Sequence, residues 1–399
     1  MTGARRNACP TLSAPMRTGD GLLARLQPEN GAYTPAQMMG LAQAAARHGN
    51  GILEITARGS LQIRGLTETS AEALATEVDA LALVPRTGVP VETNPLAGLD
   101  PQELADPRSL VESLRTATRE RDLASQLGPK VAVVVDGGGR IGLGALLGDL
   151  RFAAVSSGWQ VSVGGTAETD TVITILPEAD ALELGLGILE AIAARGRDAR
   201  GRDLVRDGAL SEESGKARQI SQNLHPAIGR FTLKSGTIAL GLSPMLGEIH
   251  ADTLLRFTQE AKALGVAELR PAPGYAMLAL PLDMTSADAL ALFAARLGLI
   301  TDPHDPRLRV SACAGAPACA SGHLATRPLA REIAHALACG TAEVHVSGCE
   351  KRCAEPHAAV RAVGTAKGVS VNGGAPVAKT QALAAIELAL HRNSHDNAA

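Results

Sequence analysis

The 399-residue chain has six cysteines, and four of them fall into two close pairs. Five residues separate Cys313 from Cys319, 29 residues follow, and three separate Cys349 from Cys353. Cys9 and Cys339 stand apart. A chain this long buries an ample core and has no need of disulfides, so closely spaced cysteines point to metal or redox chemistry. Small residues, Gly315 and Pro317 make 311–319 a loop able to fold round an inorganic cluster. Cys349 and Cys353 come directly after an apolar, strand-like run. Four thiolates are the usual complement of a 4Fe–4S cluster. Lys351 and Arg352 would offset its negative charge and favour thiolate. Structural zinc is the alternative, although its ribbons usually put about two to four residues within a pair. Unconnected buried thiols without metal are the remaining alternative, and the cluster is the preferred reading.

Other residues invite chemistry less sharply. Arg58 and Arg64 flank a turn between two strand-like runs, and guanidinium groups suit bidentate recognition of carboxylates. Two solvated arginines on a hairpin are the plain reading. Arg25 and Lys130 are weaker substrate-binding candidates, and Arg17 weaker still. His304, His323, His335, His345 and His357 gather in the last hundred residues. Two of them with a carboxylate would suit a mononuclear non-haem iron, although each alone reads more simply as a solvated or structural histidine. Gly137–Gly142 matches a dinucleotide-binding glycine pattern after an apolar strand. Asp136 followed by three glycines also signals a turn, with 141–143 as the return strand of a hairpin. No acidic residue closes a second strand where a ribose site expects one, so the hairpin is preferred.

These residues need elements to hold them, and the chain repeats itself. Residues 21–66 and 237–282 align without a gap at an offset of 216. Pro28 matches Pro244, Gly31 matches Gly247, and Gly49 matches Gly265. Each copy reads as strand, loop, helix, strand, turn, strand. Thr34 is the expected N-cap of the first helix, with Pro35 at its first position and Gly49 at its stop. Asp252 is the expected cap in the second copy. Two such half-domains should pack into one sheet. The stretches between and after them alternate strand and helix and read as α/β units. The expected division is 1–90, 91–205, 206–300 and 301–399, with 195–221 as an exposed connector.

Composition narrows the classes. Hydrophobic residues are 45%, charged residues 20%, and the net charge is −3. Disorder as the main state and nucleic-acid binding by bulk positive charge are disfavoured. Four Phe, two Tyr and one Trp leave few faces for base stacking and make the core aliphatic. No apolar run approaches the roughly 18 residues of a membrane span. Residues 1–19 lack the apolar stretch of a signal peptide, so a cytoplasmic location is expected.

The spacing of the four cysteines, the duplication, and the stretch Thr56–Gly65 with Arg58, Gln62 and Arg64 resemble the sulfite/nitrite reductase superfamily along residues 15–390. Three stretches, Asn94–Asp100, Gly128–Gly139 and Val346–Ala354, are most similar to its precorrin-3B synthase branch, in aerobic cobalamin biosynthesis. The resemblance implies ferredoxin-like half-domains interleaved with two α/β domains, the second carrying the cluster on Cys313, Cys319, Cys349 and Cys353. It implies an oxygen-dependent monooxygenase that hydroxylates precorrin-3A at C20 and closes a γ-lactone, yielding precorrin-3B. Dioxygen, NADH as ultimate reductant, an electron-donor reductase and a mononuclear non-haem iron are further implications. Arg58 matches the family arginine that faces the tetrapyrrole, and Cys353 matches the cysteine that bridges cluster and siroheme in the reductases. The sequence departs from the reductases at two points. They carry two lysines one residue apart, where this chain has Lys130 and Ala132, and Glu350 stands where they usually have proline. A siroheme-dependent sulfite or nitrite reductase is the alternative, and a non-catalytic iron–sulfur electron carrier the second.

Overall fold

The computed structural model describes residues 10–210, 226–336, 342–353 and 358–396. Cys9, Cys339 and His357 lie outside these. The chain opens with β1 (Met16–Thr18), β2 (Gly21–Leu26), α1 (Pro35–His48), β3 (Ile52–Ile55), β4 (Leu61–Leu66) and α2 (Glu68–Ala80). The second stretch holds β5 (Val91–Thr93), α3 (Arg108–Glu120), α4 (Leu123–Gln126), β6 (Val133–Asp136), β7 (Gly148–Val155), β8 (Gly158–Gly165), β9 (Thr171–Leu176), α5 (Glu178–Ala193) and α6 (Gly201–Arg206). The repeat returns as β10 (Gly229–Thr232), β11 (Ile238–Leu242), β12 (Glu248–His250), α7 (Ala251–Ala263), β13 (Glu268–Ala272), β14 (Ala276–Leu282) and α8 (Met284–Arg296). The last stretch holds β15 (Val310–Ala312), α9 (Thr326–Ala336), β16 (Val344–Ser347), β17 (Val360–Thr365), β18 (Gly368–Val371) and α10 (Ala382–Asp396).

Local chemistry starts α1 where expected. The Thr34 hydroxyl accepts from the Gln37 N–H, and the Gln37 side chain accepts from the Thr34 N–H, a reciprocal cap for two otherwise unpaired donors. Gly49 caps the helix in an extended conformation and must be glycine, because there is no room for a side chain. A Cβ there would lie 2.4 Å from the Arg64 carbonyl oxygen on β4. In the second copy α7 begins one residue before Asp252, with His250 as cap. Asp252 instead lies in the first turn, where its charge still favours the helix N-terminus.

Each half presents alternate strand residues to one shared core. Leu22, Ala24, Leu53, Leu61 and Ile63 from the first half pack with Ile238, Leu240, Leu269 and Met277 from the second, under α1 and α7. The expected single sheet is instead two, ordered β1-β2-β4-β3-β12 and β10-β11-β14-β13. The halves join by reciprocal exchange. Ile249 on β12 pairs with Leu53 on β3, and Tyr33 pairs with Leu269 on β13. These pairings are images of each other under the 216-residue offset, so they record a pseudo-twofold axis. The hairpin tips also meet, with Arg58 bridging to Pro273.

The second stretch forms a sheet ordered β5-β6-β7-β8-β9, its first three strands parallel, over a core of Val133, Val135, Phe152 and Leu189. Here the structure corrects the glycine reading. β6 runs parallel to β7, and 141–143 is a loop, so Gly137–Gly139 is no hairpin turn. The next element is a strand and not a helix, so it is no dinucleotide loop either. The loop is built on Asp136, whose carboxylate accepts N–H bonds from Gly138 (3.0 Å) and Leu143 (2.8 Å). The expected connector from 195 contains α6, anchored by Arg200 on Asp149 at 2.8 Å; residues 211–225 lie outside the described ones.

The final sheet is ordered β15-β16-β17-β18, the first three strands parallel, with α9 and α10 packed on it through Ile333 and Ile386.

Candidate functional site

Strand alternation gives the first half's sheet a second, polar face. Leu53, Ile55, Leu61 and Ile63 point to the shared core, which sends Glu54, Gln62 and Arg64 to the other side, with Arg25 on β2 and Glu248 on β12. The C-terminal unit covers much of this face. From α9, Arg327 pairs with Glu54 at 2.5 Å and with Glu248, and Arg331 also pairs with Glu248. The charges are thus neutralised where they are removed from water.

Arg64 does not present itself to a ligand, as the sequence reading expected. It is only 4% exposed. Its guanidinium grips both Asp20 oxygens at 2.9 and 3.0 Å, approaches Glu54 at 3.5 Å, and donates to the Ala318 carbonyl at 3.1 Å. Burial alone would lower its pKa, but the Asp20 and Glu54 carboxylates outweigh this and raise it.

Ala318 belongs to the first cysteine loop. β15 and β16 are parallel neighbours, with Ala312 opposite Val346, so their carboxyl ends deliver Cys313 and Cys349 into adjacent loops. Backbone bonds lock these loops together. The Gly348 N–H donates to the Cys313 sulfur at 3.0 Å, the Cys313 N–H to the Val346 carbonyl at 3.1 Å, and the His323 N–H to the Gly348 carbonyl at 2.7 Å. The Lys351 ammonium reaches the Ser321 hydroxyl at 3.1 Å. Glycine is required at the contact, because a Cβ on Gly348 would lie 2.8 Å from the Gly315 Cα.

All four cysteines are free thiols, three of them half-buried and Cys353 exposed. Among the described residues, no three His, Cys, Asp or Glu side chains are placed as a set for a metal ion. In a four-iron cage each thiolate binds a different iron, so the four sulfurs do not converge on one ion. The donor set, the joined loops and an N–H aimed at a sulfur fit such a cage. Among the described residues, the histidines do not gather into an iron site. His304, His323 and His335 are exposed, and buried His345 meets the Ser311 hydroxyl through Nδ1 at 2.8 Å.

Arg58 sits at the hairpin tip, half-buried. One terminal nitrogen donates to the Leu147 carbonyl at 2.6 Å, while the other is buried without a hydrogen-bond partner. Arg151, 2% exposed, holds the same loop from behind through the carbonyls of Leu143 and Leu146. Burial lowers the pKa of Arg151, against the pull of Asp170 at 3.2 Å. Lys130 is exposed. Val133 pairs with Leu150, so Lys130 and Leu147 lie at the same end of that sheet, the end Arg58 faces. Arg25 is half-buried on the polar face, opposite Gln62. Arg17 is paired with Glu68 in solvent.

Asp20, Glu54, Glu248, Arg327 and Arg331 were not singled out from the sequence. For Glu54 the available signal was a carboxylate alone inside the apolar run 52–55, because strand period sends it to the face opposite the core; nothing comparable marks the others.

Comparison with known proteins decides the lineage. Residues 14–81 match the family described as nitrite/sulfite reductase ferredoxin-like half domain. A precorrin-3B synthase from Sinorhizobium sp. is 39% identical over 363 residues, covering 88% of this chain and 79% of that protein. The chain belongs to the precorrin-3B synthase family, within the sulfite/nitrite reductase superfamily. A ferredoxin–nitrite reductase from Synechococcus elongatus is 24% identical over 84% of this chain and 75% of its own length. The structure of the Mycobacterium tuberculosis NirA protein superposes with a TM-score of 0.72 at 20% identity, over 88% of this chain and 73% of that one, which shows a common fold. The family is one of enzymes. No described helix is long and apolar enough to cross a membrane.

Proposed function

We propose that the chain catalyses the conversion of precorrin-3A to precorrin-3B in aerobic cobalamin biosynthesis. The observation that carries this reading is the 39% identity to a precorrin-3B synthase along 88% of the chain. In the reaction, one atom of dioxygen enters the macrocycle as the C20 hydroxyl and the ring A acetate closes a γ-lactone. The other atom leaves as water, with two electrons and two protons from an external reductant of the nicotinamide class, delivered through a donor reductase.

Cys313, Cys319, Cys349 and Cys353 would hold a 4Fe–4S cluster, which supplies one-electron transfer when bound. The chain's own side chains bind and orient the substrate. Arg58 has a guanidinium nitrogen that is buried without a hydrogen-bond partner, so a macrocycle carboxylate that displaces its cover on binding would satisfy it with a charge-assisted bond. Its other nitrogen, tied to Leu147, fixes the direction of approach. Lys130 adds a mobile positive charge at the same end of the sheet. Arg25 is the third cation of this set, on the polar face.

The siroheme reductase reading has less support. Ala132 stands where those enzymes have the second lysine, and a small oxyanion loses charge stabilisation there. Visible spectra of anaerobically purified protein, before and after dithionite, test both readings. A broad absorption that bleaches is expected, followed by a gain of one oxygen atom in precorrin-3A supplied with oxygen and reductant. A Soret-type band with chlorin features, and turnover of sulfite or nitrite, would overturn the proposal.

A further inference from the structure

We infer that Arg64 and the Gly19–Asp20 turn are positioning elements that seat Cys319 from across a domain boundary. The inference deepens the reading above, in which Cys319 is a cluster ligand. The first cysteine loop is held from two sides. Its start, Cys313, is fixed by its own unit through the Gly348 N–H. Its end is fixed by the first half-domain. The Ala318 carbonyl, directly before Cys319, accepts two bonds from that half-domain: the Arg64 guanidinium at 3.1 Å and the Gly19 N–H at 3.0 Å.

The seat is rigid because each part is itself held. Asp20 fixes the Arg64 plane with two bonds, and the Thr18 hydroxyl fixes Asp20 at 2.8 Å. Gly19 packs so closely that a Cβ would lie 1.9 Å from the Pro317 carbonyl oxygen. Only the planar fork of arginine reaches a carboxylate and a carbonyl at once. The position of Cys319 relative to the other three cysteines therefore depends on how the first half-domain docks. Ligand placement and hydrogen bonding near the sulfurs are what set a cluster's potential.

Hydrogen exchange on the full chain tests this. The Ala316, Cys319 and Gly322 amides are bonded within the loop, to Leu324, Gly315 and Cys319 carbonyls, so they report its opening. Two variants strike the seat independently: Arg64→Lys keeps the charge and removes the fork, and Gly19→Ala adds the methyl that collides with Pro317. Exchange at 316–322 should rise about tenfold in both, from a weakened charge-assisted bond in the first variant and a lost amide bond with a steric clash in the second, with the amides of β16 unchanged. The paramagnetic signal and midpoint potential of the reduced cluster should shift with it, which a general loss of stability would not cause. Unchanged loop exchange in folded Arg64→Lys overturns the inference; should that variant not fold, unchanged exchange in Gly19→Ala does so. Wild-type protein without iron would count against the cluster reading alone, because the exchange experiment still reads the seat.

Discussion

Arg58 and Arg64 lie six positions apart on one hairpin and take opposite roles. Arg64 stands inside a strand whose polar face is covered, so each of its three guanidinium nitrogens donates to Asp20, Glu54 or Ala318. Arg58 stands at the tip, where one nitrogen is left unmatched. Replacing Arg58 by Ala should weaken precorrin binding about tenfold or more, as loss of a charge-assisted bond implies. Arg58→Lys should recover little, because a single ammonium does not both hold Leu147 and meet a carboxylate. Equilibrium titration monitored by the substrate's absorbance measures both. Cys319→Ser should lose iron, acid-labile sulfide and activity together. Full activity without the cluster would sink the electron-relay role.

The elements are held by caps and ion pairs of different strength. Thr34→Ala removes a reciprocal cap and should cost about 1 kcal/mol in urea unfolding. Arg327→Ala leaves Glu54 and Glu248, each about nine-tenths buried in their side chains, short of their shared cation. Its cost should be larger, about 3 kcal/mol. The turn before β2 should be sensitive to acid. Burial pulls the Asp20 carboxyl up, but the bonds from Arg64 and Thr18 outweigh it, and its pKa is lowered. A depressed carboxylate contributes stability above its unfolded value, about pH 4, and loses it as pH falls through the lower folded value. The stability gap between wild type and Asp20→Asn should thus be full at neutral pH and close in that acid window. Urea unfolding across a pH series measures it.

At the scale of the molecule, the duplicated halves share a core and have diverged on their outer faces. Under the 216-residue offset, Glu54, Gln62 and Arg64 correspond to Arg270, Leu278 and Leu280. Leu278 and Leu280 join Ile228, Phe231 and Ile300 in an apolar cluster. One half thus keeps a polar face against the cysteine-bearing unit, and the other uses the equivalent face for apolar packing. Residues 10–90 expressed alone should lack a cooperative thermal transition, because Leu53, Ile63 and Met38 lose the second half's covering side chains. Co-expression with 226–300 should restore one by calorimetry.

Much of this was legible in the chain. Cysteine spacing named the loops, alternation within 22–26 and 238–242 named the repeated strands, and Thr34 and Gly49 named the limits of α1. These signals are local: a strand period, a cap or a ligand spacing acts over a few residues, so sequence carries it directly. Partners far apart in sequence were not legible. Nothing near Arg64 says that it meets Ala318, and nothing near Asp136 says that β6 runs parallel to β7 and opens the glycine stretch into a loop. The division into two sheets and the exchange of β12 for the Tyr33 segment also depend on how the halves dock. Those choices are decided when apolar faces are buried against each other, because burial is non-directional and selects partners by shape. The sequence by itself determined which residues are able to do chemistry; the tertiary structure decided which of them remain free to do it.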